Sequence, residues 1–147
     1  MIVRDLLKSK GNAIVSISPS STLYDAVKLL TERRVSSLLV LGEDSALIGI
    51  ISERDILRTA YNVREKLFEM QVRHVMTPRE KMILGSEDNT IQDVMEIMTN
   101  NRIRHLPIME SGKLLGIISI GDVVKGQLDE AVSENRQMQN YILGHYA

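Results

Sequence analysis

Apolar and polar positions along this chain follow a pattern that is laid down twice. The run IVSI (14–17) is short and apolar, and Pro19 closes it. Thr22 then stands before Leu23, Ala26, Val27, Leu29 and Leu30, which recur at helical spacing. A threonine hydroxyl can accept one of the free N–H groups of a helix's first turn, so Thr22 reads as an N-cap. Two apolar runs follow, SLLVL (37–41) and ALIGIIS (46–52), with the polar segment GEDSA (42–46) at their junction. That alternation predicts a β-hairpin, with a second helix from about Glu53. The second half repeats each step. Thr90 precedes Ile91, Val94, Met95, Ile97 and Met98; HLPIM (105–109) and KLLGIIS (113–119) flank the turn ESGK (110–113); a helix follows from about Gly121.

The repetition extends to identities. Ser18, Thr22, Asp25, Thr31, Arg34 and Leu38 meet the same residue 68 positions on. Leu47, Gly49, Ile50, Ile51, Ser52 and Asp55 meet theirs 67 positions on, so one residue is lost in the hairpin loop. Each half therefore reads strand–helix–strand–strand–helix. A unit this small buries little alone, so two units packed face to face would share one core. The boundaries expected are a first repeat over 1–62, a linker with the start of the second repeat over 63–81, a second repeat over 82–127 and a C-terminal helix or tail over 128–147. In the linker, NVREKLFEMQVRHVM (62–76) is charged and amphipathic, and Pro78 is expected to stop a short helix there. In the tail, Leu128, Val132, Met138, Tyr141 and Ile142 form a loose stripe along an extended helix that packs on the domain or on a second subunit. His74 and His145 read as surface residues.

Composition narrows the function. The chain has 147 residues, no cysteine, no tryptophan and one phenylalanine. Thiolate metal sites are excluded, and no pair of histidines has metal-ligand spacing. Few aromatic rings count against base-stacking platforms. A net charge of −1, from 18 basic and 19 acidic residues, gives no support to nucleic-acid binding. No apolar run is long enough to span a membrane, and MIVRDLLKSK lacks a signal-peptide core, so a cytoplasmic protein is the expectation. Eight methionines read as fillers of an aliphatic core. Neither a Walker nor a dinucleotide glycine loop is present, and no catalytic constellation emerges, so a binding module rather than an enzyme is expected.

The most specific chemistry is Ser-x-x-Asp placed after Gly-Ile-Ile in both halves. It reads Gly49-Ile50-Ile51-Ser52-Glu53-Arg54-Asp55 and Gly116-Ile117-Ile118-Ser119-Ile120-Gly121-Asp122. Each glycine reads as a strand end where backbone approaches a ligand. A hydroxyl and a carboxylate three residues apart share one face of a helix's first turn. Such a carboxylate can accept both hydroxyls of a ribose. The same spacing is also a helix capping box, and the residues alone leave both readings open.

With its linker VRHVMTP and strand RIRHLPIM, the repeat resembles the CBS domain, the regulatory module of cystathionine β-synthase. Two copies resemble a Bateman module, from about Val3 to Gln127. The resemblance implies an α/β (α+β) fold of two β-α-β-β-α repeats related by pseudo-two-fold symmetry. It implies a regulatory role, in which AMP, ADP, ATP or NAD in clefts between the repeats modulates a separate partner protein, without a metal. It also implies a homodimer, to which helices 22–34 and 90–101 contribute. Ribose would be held by Ser52, Asp55, Ser119 and Asp122. Phosphate would be met by Arg54, Arg104, His105, Ser36 and Ser37, where arginine offers a fork of donors and histidine a titratable one. Adenine would lie along Lys10, Val15, Val35, Thr77, Ile83 and Ile103. The alternative is a ligand-free scaffold or dimerisation module whose motif residues only cap helices.

Overall fold

The computed structural model describes residues 1–11 and 13–144. His145, part of the expected C-terminal helix, lies outside them. Among the described residues, five α-helices and six strands follow one another: α1 (Val3–Lys10), β1 (Ser16–Ile17), α2 (Leu23–Arg33), β2 (Ser37–Leu41), β3 (Leu47–Ser52), α3 (Glu53–Asn62), β4 (Thr77–Pro78), α4 (Ile91–Asn101), β5 (His105–Glu110), β6 (Lys113–Ser119) and α5 (Ile120–Ile142). They fall into two compact units. One comprises residues 13–82; the other comprises 83–147 together with 1–12.

In the unit 13–82 the sheet order is β1-β2-β3-β4. β1 runs parallel to β2, and β3 is antiparallel to both β2 and β4. Helix α2 begins on a capping box: Thr22 Oγ1 accepts from Asp25 N–H, and the Asp25 carboxylate accepts from Thr22 N–H. It ends at Arg34, left-handed at φ 55°, whose N–H reaches Leu30 O. The apolar face of α2 buries Leu23, Ala26 and Leu30 against Leu38, Val40, Ile51 and Ile56.

The predicted short helix before Pro78 does not form. Residues 67–69 and 72–74 are single 3-10 turns, and Thr77–Pro78 is a strand on the edge of the sheet. The reason is non-local. Met70 O accepts from Leu23 N–H, Val72 N–H donates to Ser21 O, and Arg73 N–H to Pro19 O. These bonds hold the segment along the start of α2, and Val72 is fully buried there. A continuous helix would forfeit them.

The other unit repeats the arrangement. Thr90 and Asp93 cap α4, and Arg102 ends it at φ 52°. β5 and β6 form a hairpin whose two-residue loop, Ser111-Gly112, has positive φ at both positions, as a tight hairpin turn requires. Both hairpins shift register at the same place, Val40/Leu41 and Ile108/Met109. The counterpart of β1 is reduced to a parallel bridge between Gly85 and Ile108. Helix α1 fills this unit's remaining face: Val3, Leu6 and Leu7 are buried with Ile91, Val94, Met98, Leu106, Ile108, Ile118 and Val123. A Cβ on Gly126 of α5 would come within 2.9 Å of Leu6 and 3.0 Å of Ile91, so the missing side chain is what admits α1.

Each unit has a buried apolar cluster of its own beneath its helix-covered hairpin. The final helix and the second helix of the second repeat are one element, the 23-residue α5. Along it Leu128, Val132, Met138, Tyr141 and Ile142 are all exposed.

Candidate functional site

In both units the motif sits where the last strand of the hairpin becomes a helix. Ser52 ends β3 and N-caps α3; its N–H donates to Asp55 Oδ2 at 2.8 Å, its Oγ donates to the same oxygen at 3.0 Å, and Asp55 N–H returns to Ser52 Oγ. Ser119 ends β6 and N-caps α5, with Ser119 N–H 2.8 Å from Asp122 Oδ2 and Asp122 N–H 3.2 Å from Ser119 Oγ. The positive end of each helix thus holds a carboxylate at a fixed orientation. The same box caps α2 and α4, so capping alone does not mark a site. What sets these two apart is the strand end and what faces it.

Across the hairpins, Ser37 pairs with Ser52 and His105 with Ser119. The residues just before follow suit: Glu53 N–H donates to Ser36 O, and Ile120 N–H to Arg104 O. The structure therefore brings Ser36 and Ser37 beside the first motif, and Arg104 and His105 beside the second. Ser37 is buried at 7% exposure and Ser36 is half-buried, while Arg104 is exposed and His105 half-buried. Arg54 is exposed in the first turn of α3.

The adenine candidates are more dispersed. Val35 N–H bonds Leu30 O and Ile103 N–H bonds Met98 O, closing the ends of α2 and α4, and both side chains pack on their units' cores. Val15 O accepts from Leu39 N–H beside β1, Thr77 pairs with Ile50 across β3–β4, and Ile83 is exposed. Lys10 sends its ammonium to Asp122 Oδ2 at 2.5 Å and Ile117 O at 2.6 Å. No local signal reports this pair, since 112 residues separate its members.

The motif glycines do not end their strands. Gly49 lies inside β3, and a Cβ there would fall 2.6 Å from Met76 Sδ and 2.8 Å from Thr77 O. Gly116 lies inside β6, facing Leu7 Cδ2 at 2.9 Å. The space above each glycine is filled by the protein itself, which replaces the expectation of a close approach to ligand.

Burial raises the Asp122 carboxyl, but hydrogen bonds from Lys10 and Ser119 and the lysine's charge outweigh it, so the group titrates below its ordinary range. A depressed folded pKa stabilises above the unfolded value, about 3.9, and the gain is lost as pH falls through the folded value. Asp122→Asn keeps a capping side chain but removes the charge. It should cost about 0.5–1 kcal/mol at pH 7, and urea midpoints of variant and wild type should converge toward pH 2.

Among the described residues no group of three or more His, Asp or Glu could hold a metal ion, and no helix is long and apolar enough to cross a membrane.

A family model for the CBS domain matches residues 3–62 and 72–129. The chain is 36% identical over 150 residues to the mitochondrial CBS domain-containing protein CBSX3 of Arabidopsis thaliana, covering 98% of this chain and 73% of that one. Among solved structures, a CBS-domain containing protein from Agrobacterium tumefaciens superposes with a TM-score of 0.82 at 34% identity, over 86% of this chain and 99% of that one. CBSX2, solved in complex with AMP, gives a TM-score of 0.73 at 25% identity, over 88% of this chain and 98% of that one.

Proposed function

Because the chain belongs to the CBS-domain family, with two copies of the domain in tandem, we propose that it is a regulatory module that binds an adenosine nucleotide (AMP, ADP, ATP or NAD) and modulates a separate partner protein. The observation that carries this reading is the doubled strand-end motif. Each copy presents a carboxylate at a helix N-terminus, with its orientation fixed by the preceding serine. A ribose offers two adjacent donors to such a carboxylate. The first-turn amides, with Arg54 in one unit and Arg104 and His105 in the other, supply the positive surroundings that a phosphate needs. That CBSX2 was solved with AMP supports the ligand class. In this reading the module works as a homodimer, and occupancy matters to the partner only through a difference in affinity between two states of the module.

One observation favours the scaffold reading: each motif carboxylate already has partners within its own unit. Calorimetry separates the two. Wild type should bind at least one of AMP, ADP, ATP and NAD, and Asp55→Ala and Asp122→Ala should each weaken binding at its own motif about tenfold, from the loss of hydrogen bonds to a charged group. Folded wild-type protein that takes up none of them would establish the scaffold. Unchanged binding in both variants would move the site elsewhere.

A further inference from the structure

Asp55 and Asp122 hold the same place in their repeats but differ in one contact. Among the described residues Asp55 has no ion pair, and its carboxylate is held by Ser52 N–H and Oγ. Asp122 Oδ2 accepts from Ser119 N–H and also from the Lys10 ammonium. We infer that Lys10 is an internal competitor for the Asp122 carboxylate, so that the second motif binds an adenosine ligand more weakly than the first. This rests on the nucleotide reading above.

Several features make the lysine an effective competitor. A ribose hydroxyl and an ammonium both make charge-assisted hydrogen bonds to a carboxylate, but only the ammonium adds an opposite charge, so a ribose diol starts at a disadvantage. Lys10 is doubly anchored, since Ile117 O takes a second N–H. Its stem is carried by a docked helix: Leu6 and Leu7 of α1 are buried, against Gly126 and Gly116. Holding the side chain there costs little of the rotamer entropy that weakens exposed pairs. Both side chains are about three-quarters shielded, at 27% and 26% exposure, which limits screening by salt. Gly11 follows at φ 85°, so the chain turns away directly after Lys10 and leaves it as the last helical residue.

The test isolates the second motif in Asp55→Ala and uses adenosine, whose lack of phosphate keeps charge attraction to lysine out of the measurement. Calorimetry should show adenosine binding about fivefold or more tightly to Asp55→Ala/Lys10→Met than to Asp55→Ala. Lys10→Gln keeps a donor without the charge and should behave as Lys10→Met, which guards against a packing artefact. Binding seen only in the doubly substituted proteins also supports the competition. Unchanged or weaker binding in both Lys10 variants overturns this inference alone. So does binding by wild type that vanishes in Asp55→Ala and is not restored by either Lys10 substitution. No binding of adenosine or the nucleotides by wild type or any variant overturns the nucleotide reading as well.

Discussion

Gly49→Val should unfold at a clearly lower denaturant concentration than wild type, with a loss of about 3 kcal/mol in unfolding free energy. Gly49 is flanked on both sides, pairing with Val40 of β2 and Pro78 of β4. A Cβ would meet Met76 Sδ at 2.6 Å and the carbonyl of Thr77 at 2.8 Å. The methionine can swing aside, but Thr77 O belongs to the backbone of a paired strand. Relief therefore means breaking the β3–β4 contact, and a branched side chain makes the misfit worse. Gly116→Ala is the control. Its neighbour is the far end of one flexible leucine, Leu7 Cδ2 at 2.9 Å, and the loss should stay near or below about 1 kcal/mol. Urea titrations of the two variants measure both. A Gly49 variant as stable as wild type would show that the glycine is not there for packing.

Leu38→Ala should cost about 3–5 kcal/mol, the largest effect of any single truncation considered for the unit 13–82. Leu38 is fully buried on β2, pairs with Ile51, and lies in the cluster with Leu23, Ala26 and Leu30 of α2. Deleting its isobutyl group removes transfer energy and leaves a hole that a five-residue strand, bonded on both sides, closes poorly. Ile14→Ala, at a half-buried position outside the strands, should cost about 1 kcal/mol. Near-equal losses at the two positions would contradict the placement of the core.

The repeat made much of this fold legible. Local chemistry decides the elements that form as the pattern predicts: Thr22 and Thr90 as caps, the period of Leu23–Leu30 and Ile91–Met98, and the hairpin turn at Ser111-Gly112. Each needs only a few neighbours along the chain. Segment 62–76 does not form the helix its pattern predicts, because its apolar residues serve two ends. They look amphipathic, yet the backbone between them is claimed by Pro19, Ser21 and Leu23, and no local pattern reports such a claim. The role of Gly49 and Gly116 is not legible locally, since what lies above a glycine depends on strands and helices far off in sequence. The candidate site was half legible. The pairing of Ser37 with Ser52 and of His105 with Ser119 follows from hairpin register, but the partner of Asp122 does not.

The order in which the chain is made gives α1 a second significance. The helix precedes the unit 13–82 in the chain, yet what it packs against follows that unit: Ile91, Gly116, Asp122 and Gly126. At about 5–20 residues per second, the 112 residues from Lys10 to Asp122 take on the order of 5–20 s to appear. The residues of the unit 13–82 are complete well before then, while Val3, Leu6 and Leu7 still have no surface to cover. During that interval the nascent chain carries an apolar helix whose partners have not yet been made. Its docking has to wait until Gly126 of α5 has been made.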